Sequence, residues 1–187
     1  MSSRLNLMLL MTLSLLGACR SDPIEFHTLT PTAVTRQAAG SEIAIESVSV
    51  PPQVDRAQIV VRQGASGLAI LETQWWGASL ADELRSALAE QLNSADSERR
   101  LSVRIVVQRF DSVPGQYALI DAKWRLRGVG GSATLSCRSV LQTRAGTGID
   151  EVVSAHQVNI QALAMQINQA ARDTRGGCPA IGANAEG

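Results

Sequence analysis

Three consecutive stretches of this chain alternate apolar and polar residues with a period of two, and they constrain the fold more than any other feature. In Leu101–Phe110, Val103, Ile105 and Val107 fall on one side and Arg104 and Gln108 on the other. After Pro114-Gly115, Ala118, Ile120, Ala122, Trp124 and Leu126 alternate with Asp121, Lys123, Arg125 and Arg127. After Gly128-Val129-Gly130-Gly131, Ala133, Leu135, Cys137 and Leu141 alternate with Thr134, Ser136 and Arg138. Successive strand residues point to opposite faces, so the pattern predicts an antiparallel meander with one apolar and one polar face. The glycine run joins two such stretches and no helix follows it, which makes it a hairpin turn rather than a phosphate loop. The polar face collects Arg104, Lys123, Arg125, Arg127 and Arg138, either a solvated surface or a candidate contact for an acidic partner or a neighbouring subunit.

The apolar face needs a cover, and two amphipathic stretches supply it. Leu80, Leu84, Ala87, Leu88 and Leu92 recur at helical spacing behind Ser79, a suitable N-cap, with Asp82 and Glu83 in the first turn where negative charge suits the helix dipole. Val153, His156, Ile160, Leu163, Ala164, Ile167 and Ala171 form one stripe of a longer helix, about Asp150 to Asp173. Further strands are expected at Glu42–Val50, stopped by Pro51-Pro52, at Gln58–Arg62, and at Leu68–Glu72 after a turn at Gly64 and Gly67. Asp55 paired with Arg56 is expected to fix the start of the second of these. Phe26-His27-Thr28-Leu29 reads as one edge strand on a polar tether, and Trp75-Trp76-Gly77 as a loop that can turn one indole inward and offer the other as an interface anchor. The fold class is therefore α/β: a single domain, a mixed sheet of five or six strands with an antiparallel meander, and two main helices packed on it.

The first residues carry a different signal. Arg4, an apolar run from Leu5 to Leu16, and Leu16-Gly17-Ala18-Cys19 have the layout of a secretory signal peptide, too short to span a bilayer. Arg4 is the only charged residue before Cys19, so the mature part, with 17 acidic and otherwise 17 basic residues in the whole chain, has a net charge near −1. A nucleic-acid partner calls for a strongly basic footprint, which this composition lacks. Domain limits follow: 1–18 signal peptide, 19–40 tether, 41–175 folded domain, 176–187 a disordered tail unless Cys178 pins it.

Chemistry is sparse. An exported chain meets an oxidising compartment, which permits a bridge between Cys137 and Cys178, although two free thiols remain an equal alternative. His27 lies near the tether and His156 in a packing stripe. No H-E-x-x-H, C-x-x-C, calcium loop or G-x-S-x-G elbow occurs, so neither a metal or other cofactor nor a catalytic triad is expected.

Leu16-Gly17-Ala18-Cys19 resembles the lipobox of bacterial lipoproteins, in which the cysteine becomes the acylated N-terminus, carrying chains such as palmitate. Arg20 rather than Asp after it implies, by enteric sorting, the periplasmic face of the outer membrane. Val48-Ser49-Val50-Pro51-Pro52-Gln53-Val54-Asp55-Arg56-Ala57-Gln58-Ile59-Val60-Val61-Arg62 resembles the signature of the ABC-type transport auxiliary lipoproteins, which include the lipoprotein of the paraquat-inducible system. A small hairpin, a tryptophan-containing loop (Trp75 or Trp76) and a helix follow that signature there as here. The resemblance implies a non-enzymatic docking subunit of an ABC system. Its partner would be a periplasmic protein with mammalian-cell-entry (MCE) domains that carries lipid between membranes, with homo-oligomerisation. It also implies a fold akin to the N-terminal domain of the Tol translocation protein. An accessory lipoprotein of another envelope machine, for efflux or cell-wall synthesis, is the alternative.

Overall fold

A computed structural model describes residues 22–32, 42–92, 100–128, 134–172, 174 and 176–179. Cys19 with its leader, the hairpin loop 129–133 and residues 180–187 lie outside the described residues.

Among the described residues, seven strands and two helices follow in the order β1 (Glu25–His27), β2 (Glu42–Ser49), β3 (Gln58–Gln63), β4 (Gly67–Trp76), α1 (Leu80–Leu92), β5 (Arg100–Val113), β6 (Tyr117–Gly128), β7 (Thr134–Arg144) and α2 (Ile149–Arg172). They form an α/β domain, as the periodicity requires, but the strands divide between two sheets. The larger has the order β2-β5-β6-β7 and the smaller β1-β4-β3. The meander is antiparallel throughout, while β2 adds to β5 in parallel, after a crossover that contains β3, β4 and α1.

Both helices pack on one face of the large sheet. Leu84 and Leu88 of α1 and Ile160, Leu163 and Ile167 of α2 share a core with Val103, Ile105, Ile120, Trp124 and Leu126. Within that core α2 is keyed by a buried amide: Asn159 donates to the Ala118 carbonyl at 2.9 Å and accepts from the Thr143 hydroxyl at 2.8 Å. Burial of an amide is tolerated when both its ends are paired. The turn between β5 and β6 needs φ of +77° at Gly115, a conformation open to glycine at little cost.

Trp75 and Trp76 are not in a loop. β4 runs through both, because β1 pairs with its end in parallel (Phe26 opposite Trp75, His27 opposite Trp76) and the Trp76 amide donates to the Ala57 carbonyl at 2.6 Å. The partner that extends β4 comes from about fifty residues upstream. Asp55 and Arg56 also differ from expectation. No ion pair joins them; Asp55 is exposed, and the turn after the two prolines is closed by backbone bonds from Val54 and Asp55 to the Pro51 carbonyl.

The segment after β1 is held more tightly than a tether. Leu29 is fully buried, and its amide donates to the Glu83 carboxylate at 2.8 Å. The Thr28 hydroxyl donates to the same oxygen at 2.8 Å. From α2, Gln157 donates to the Thr28 carbonyl, and Asp150 lies 3.2 Å from His27. Glu83 is itself buried in the first turn of α1, one turn after the Ser79 cap, whose hydroxyl accepts from the Asp82 amide. Glu83→Ala leaves the Leu29 amide buried without an acceptor and is expected to cost about 2–3 kcal/mol. Glu83→Gln keeps one acceptor and should cost less; a urea titration of the two variants checks the order.

Candidate functional site

Because both helices lie on one side, the other face of the large sheet is open where the alternation places the cations, although Asp111, Leu119 and Asp121 farther along that face are buried. Arg104, Lys123, Arg125, Arg127 and Arg138 are all exposed. Their positions follow from strand register: Arg104 stands opposite Arg125 across β5 and β6, and Lys123 opposite Arg138 across β6 and β7. Like charges directly opposed on one face destabilise a sheet. Two carboxylates offset part of that repulsion. Asp121 accepts two bonds from the Arg138 guanidinium, at 2.8 and 2.6 Å, and these hold its carboxyl below the ordinary range. Glu46 is held low by the Ser102 hydroxyl first and by Arg104 second, the latter at 3.6 Å. Arg125 spends its Nε on the Ser136 hydroxyl, and no carboxylate pairs with Lys123, Arg125 or Arg127 among the described residues.

Between these side chains lies an open groove of about 670 Å³. Val106 contributes apolar surface, Arg104, Lys123, Arg125 and Arg138 contribute charge, and Cys178 closes one wall. Cys178 is there because the chain after α2 folds back along β7. It is joined to Cys137 in a disulfide with Cα atoms 5.5 Å apart, and its sulfur lies 3.2 Å from the Ser136 carbonyl oxygen. The alternation of β7 names Cys137 as an inward residue; only the path of the tail brings Cys178 to it.

The two tryptophans are separated by the sheet. Trp76 is buried and meets Phe110 edge to face, with ring centroids 6.3 Å apart. Trp75 is on the opposite face of the small sheet, half-buried, edge-on to Phe26 at 6.3 Å, with its indole N–H donated to the Glu72 carbonyl. Trp75 and the basic row therefore sit on different sheets and form no single site.

His156 is fully buried, stacked on Phe110 with centroids 3.9 Å apart, its Nε2 at 2.9 Å from the Ser112 hydroxyl. Desolvation pushes its pKa down to about 3. The Ser112–His156 pair has the composition of a nucleophile and base but is sealed from solvent, with Ser112 only 1% exposed. Among the described residues no group of three or more His, Cys, Asp or Glu side chains is placed to hold a metal, and no helix is long and apolar enough to cross a membrane. The groove is suited to binding an anionic, partly apolar surface.

No curated protein matches the chain in sequence. The fold is shared with solved crystal structures. One, of an uncharacterized protein, superposes with a TM-score of 0.63 at 15% identity, covering 79% of this chain and 98% of that one. Protein XCC0632 from Xanthomonas campestris, of the DUF330 family, gives 0.61 at 16% identity, covering 81% and 98%. Residues 27–168 match the sequence profile of the ABC-type transport auxiliary lipoprotein component, a span that takes in every strand from the end of β1, all of α1 and all but the last turn of α2. The chain belongs to the family of ABC-type transport auxiliary lipoprotein components.

Proposed function

We propose that this auxiliary component is a non-catalytic docking subunit, anchored through an acylated Cys19 to the periplasmic face of the outer membrane. In this reading residues 1–18 are removed, 19–24 connect the lipid to the domain, and the domain is continuous from β1 onward. Its partner is the MCE-domain periplasmic protein of an ABC-type lipid transport system, bound by a homo-oligomer of this chain.

The observation that carries the reading is the uncovered sheet face. Repelling cations stand opposite one another there at an energetic cost, around an open groove, while the mature chain as a whole is close to neutral. An acidic surface on the partner would relieve that repulsion on binding. Rim charges of this kind set association rate and salt dependence more than final affinity.

The test is a pull-down of the domain starting at Arg20 against the periplasmic MCE-domain protein of the proposed system. Binding at low salt that weakens as salt rises is expected, and Lys123→Glu with Arg125→Glu should abolish it while the melting temperature holds or rises. Failure of the wild-type domain to bind at low salt would overturn the partner assignment.

A further inference from the structure

Exposed apolar side chains on this domain are concentrated in one place. Of the large apolar residues exposed among the described ones, Ile24, Phe26, Leu68 and Ile70 belong to the small sheet or the two residues before it, and Phe26 is the most exposed of all at 66%. Strand register puts them on a common side. Residues directly opposite across a pair point the same way, and Phe26 stands opposite Trp75, Trp75 opposite Gln58, and Val60 opposite Ile70. The irregularity between Gln58 and Val60 falls in β4, so Trp75 and Ile70 share a side despite their odd separation in sequence. The other side of β4, with Ala69 and Leu71, packs on the core.

The chain itself indicates what covers this patch. Cys19 lies seven residues before Phe26, and seven residues span at most about 25 Å when fully extended. β1 is fixed to β4, and the segment after it to α1 and α2, so Phe26 and Trp75 move with the domain as a body. An acylated Cys19 therefore holds this side of the small sheet within about 25 Å of the headgroup layer. Trp75 has the character of an interfacial side chain, an apolar ring half exposed and an N–H already satisfied. The exposed flanking charges, Asp22, Glu25 and Glu72, are acidic, and the half-buried Arg62 opposite Leu68 is paired with Asp111. The contact is thus an apolar one that does not call for anionic lipid, in contrast to the basic face of the large sheet.

We infer that the face of the small sheet carrying Phe26, Leu68, Ile70 and Trp75 rests in the interfacial layer of the membrane that holds the lipid anchor, and so fixes which way the domain stands on that membrane. The inference rests on the acylation of Cys19 proposed above. A single acyl chain binds only marginally while two or more hold stably; the patch adds orientation to an anchor that has none.

The experiment uses the full acylated protein in vesicles of neutral phosphatidylcholine with brominated chains, read by tryptophan fluorescence. Trp76 and Trp124 are buried at 3% and 2% exposure, so a quencher in the bilayer reads Trp75. Expected is loss of the Trp75 share of the emission, unchanged at high salt and absent in Trp75→Phe, which keeps an aromatic ring in the sheet. Flotation and acyl mass are measured on the same sample. Protein that floats with an acylated Cys19 but shows no quenching overturns the inference and leaves the anchor standing. Trp75 shielded in floated protein from both brominated lipid and an aqueous quencher overturns it in favour of a second copy or a protein partner on the patch. Quenching that appears only with anionic lipid and vanishes in salt overturns it in favour of the basic face. Protein with no acyl mass that fails to float removes the anchor, and the inference falls with it.

Discussion

The double variant Cys137→Ala with Cys178→Ser is expected to lose about 4 kcal/mol of stability, the largest effect of any change that leaves the helices and the apolar core untouched. The bridge closes a loop with a sequence separation of 41, and in the chain-entropy account a cross-link of that span removes about 4 kcal/mol of freedom from the unfolded chain. For a domain of this size each kcal/mol corresponds to roughly 2–4 °C, so the melting temperature should drop by roughly 8–16 °C. Alanine is chosen at Cys137 because that side chain is buried, and serine at Cys178 because that one is exposed. Calorimetry with and without reductant provides the check: reductant should lower the wild type toward the variant and leave the variant unmoved. Two reactive thiols in oxidised wild-type protein, together with an unchanged melting temperature, would remove the bridge from the account. The native state is affected as well, since Cys178 forms one wall of the basic groove, so the variant should also bind the partner proposed above more weakly.

Acid should destabilise the protein well before its carboxylates protonate, and His156 is the reason. Its folded pKa is about 3, below the ordinary 6.5. Between those values the unfolded chain binds a proton that the folded chain refuses, so stability is complete above pH 6.5 and is lost as pH falls toward 3. The slope approaches about 1.4 kcal/mol per unit, giving a loss of about 2.5 kcal/mol by pH 4.5. Asp121 and Glu46, both held below their ordinary values of 3.8 and 4.5, add their own losses only at lower pH. The interval from 6.5 to 4.5 therefore isolates the histidine. His156→Phe, made together with Ser112→Ala so that no buried hydroxyl is stranded, keeps an aromatic ring against Phe110 and should flatten the profile in that interval. Urea unfolding at pH 7.5, 5.5 and 4.5 reads the slope. A variant as acid-sensitive as the wild type would place the proton uptake elsewhere.

What could be read from the residues alone was what depends on neighbours in sequence. The meander of β5, β6 and β7 was legible because period two is a local signal, and the same signal placed the five cations on one face. The two helices were legible from their stripes, and Ser79 from its place before the first. The division into two sheets was not, because it depends on β2 choosing β5 as a parallel neighbour across the whole small sheet. Trp75 and Trp76 read as a loop because the strand that orders them, β1, is three residues long and carries no periodicity of its own. Glu83 read only as a first-turn acid suited to the helix dipole, since nothing in its surroundings announces that a backbone amide from residue 29 will need it. Both cysteines were visible, but whether they meet is decided by the path of a tail without pattern.

The docking of Thr28 and Leu29 also determines where force enters the molecule. With an anchor at Cys19 and a partner on the large sheet, tension between them passes first into β1. From there it divides: the Glu83 carboxylate carries it into α1, and Gln157 and Asp150 carry it into α2. Both helices are seated on the sheet that bears the basic groove, so load that passes β1, the edge strand of the small sheet, is handed on to the core. Glu25 is only the sixth residue after Cys19, about 20 Å away at full stretch. With the proposed anchor and partner, the domain would act as a short stay, able to transmit a pull across the membrane surface, and not as a float on a long leash.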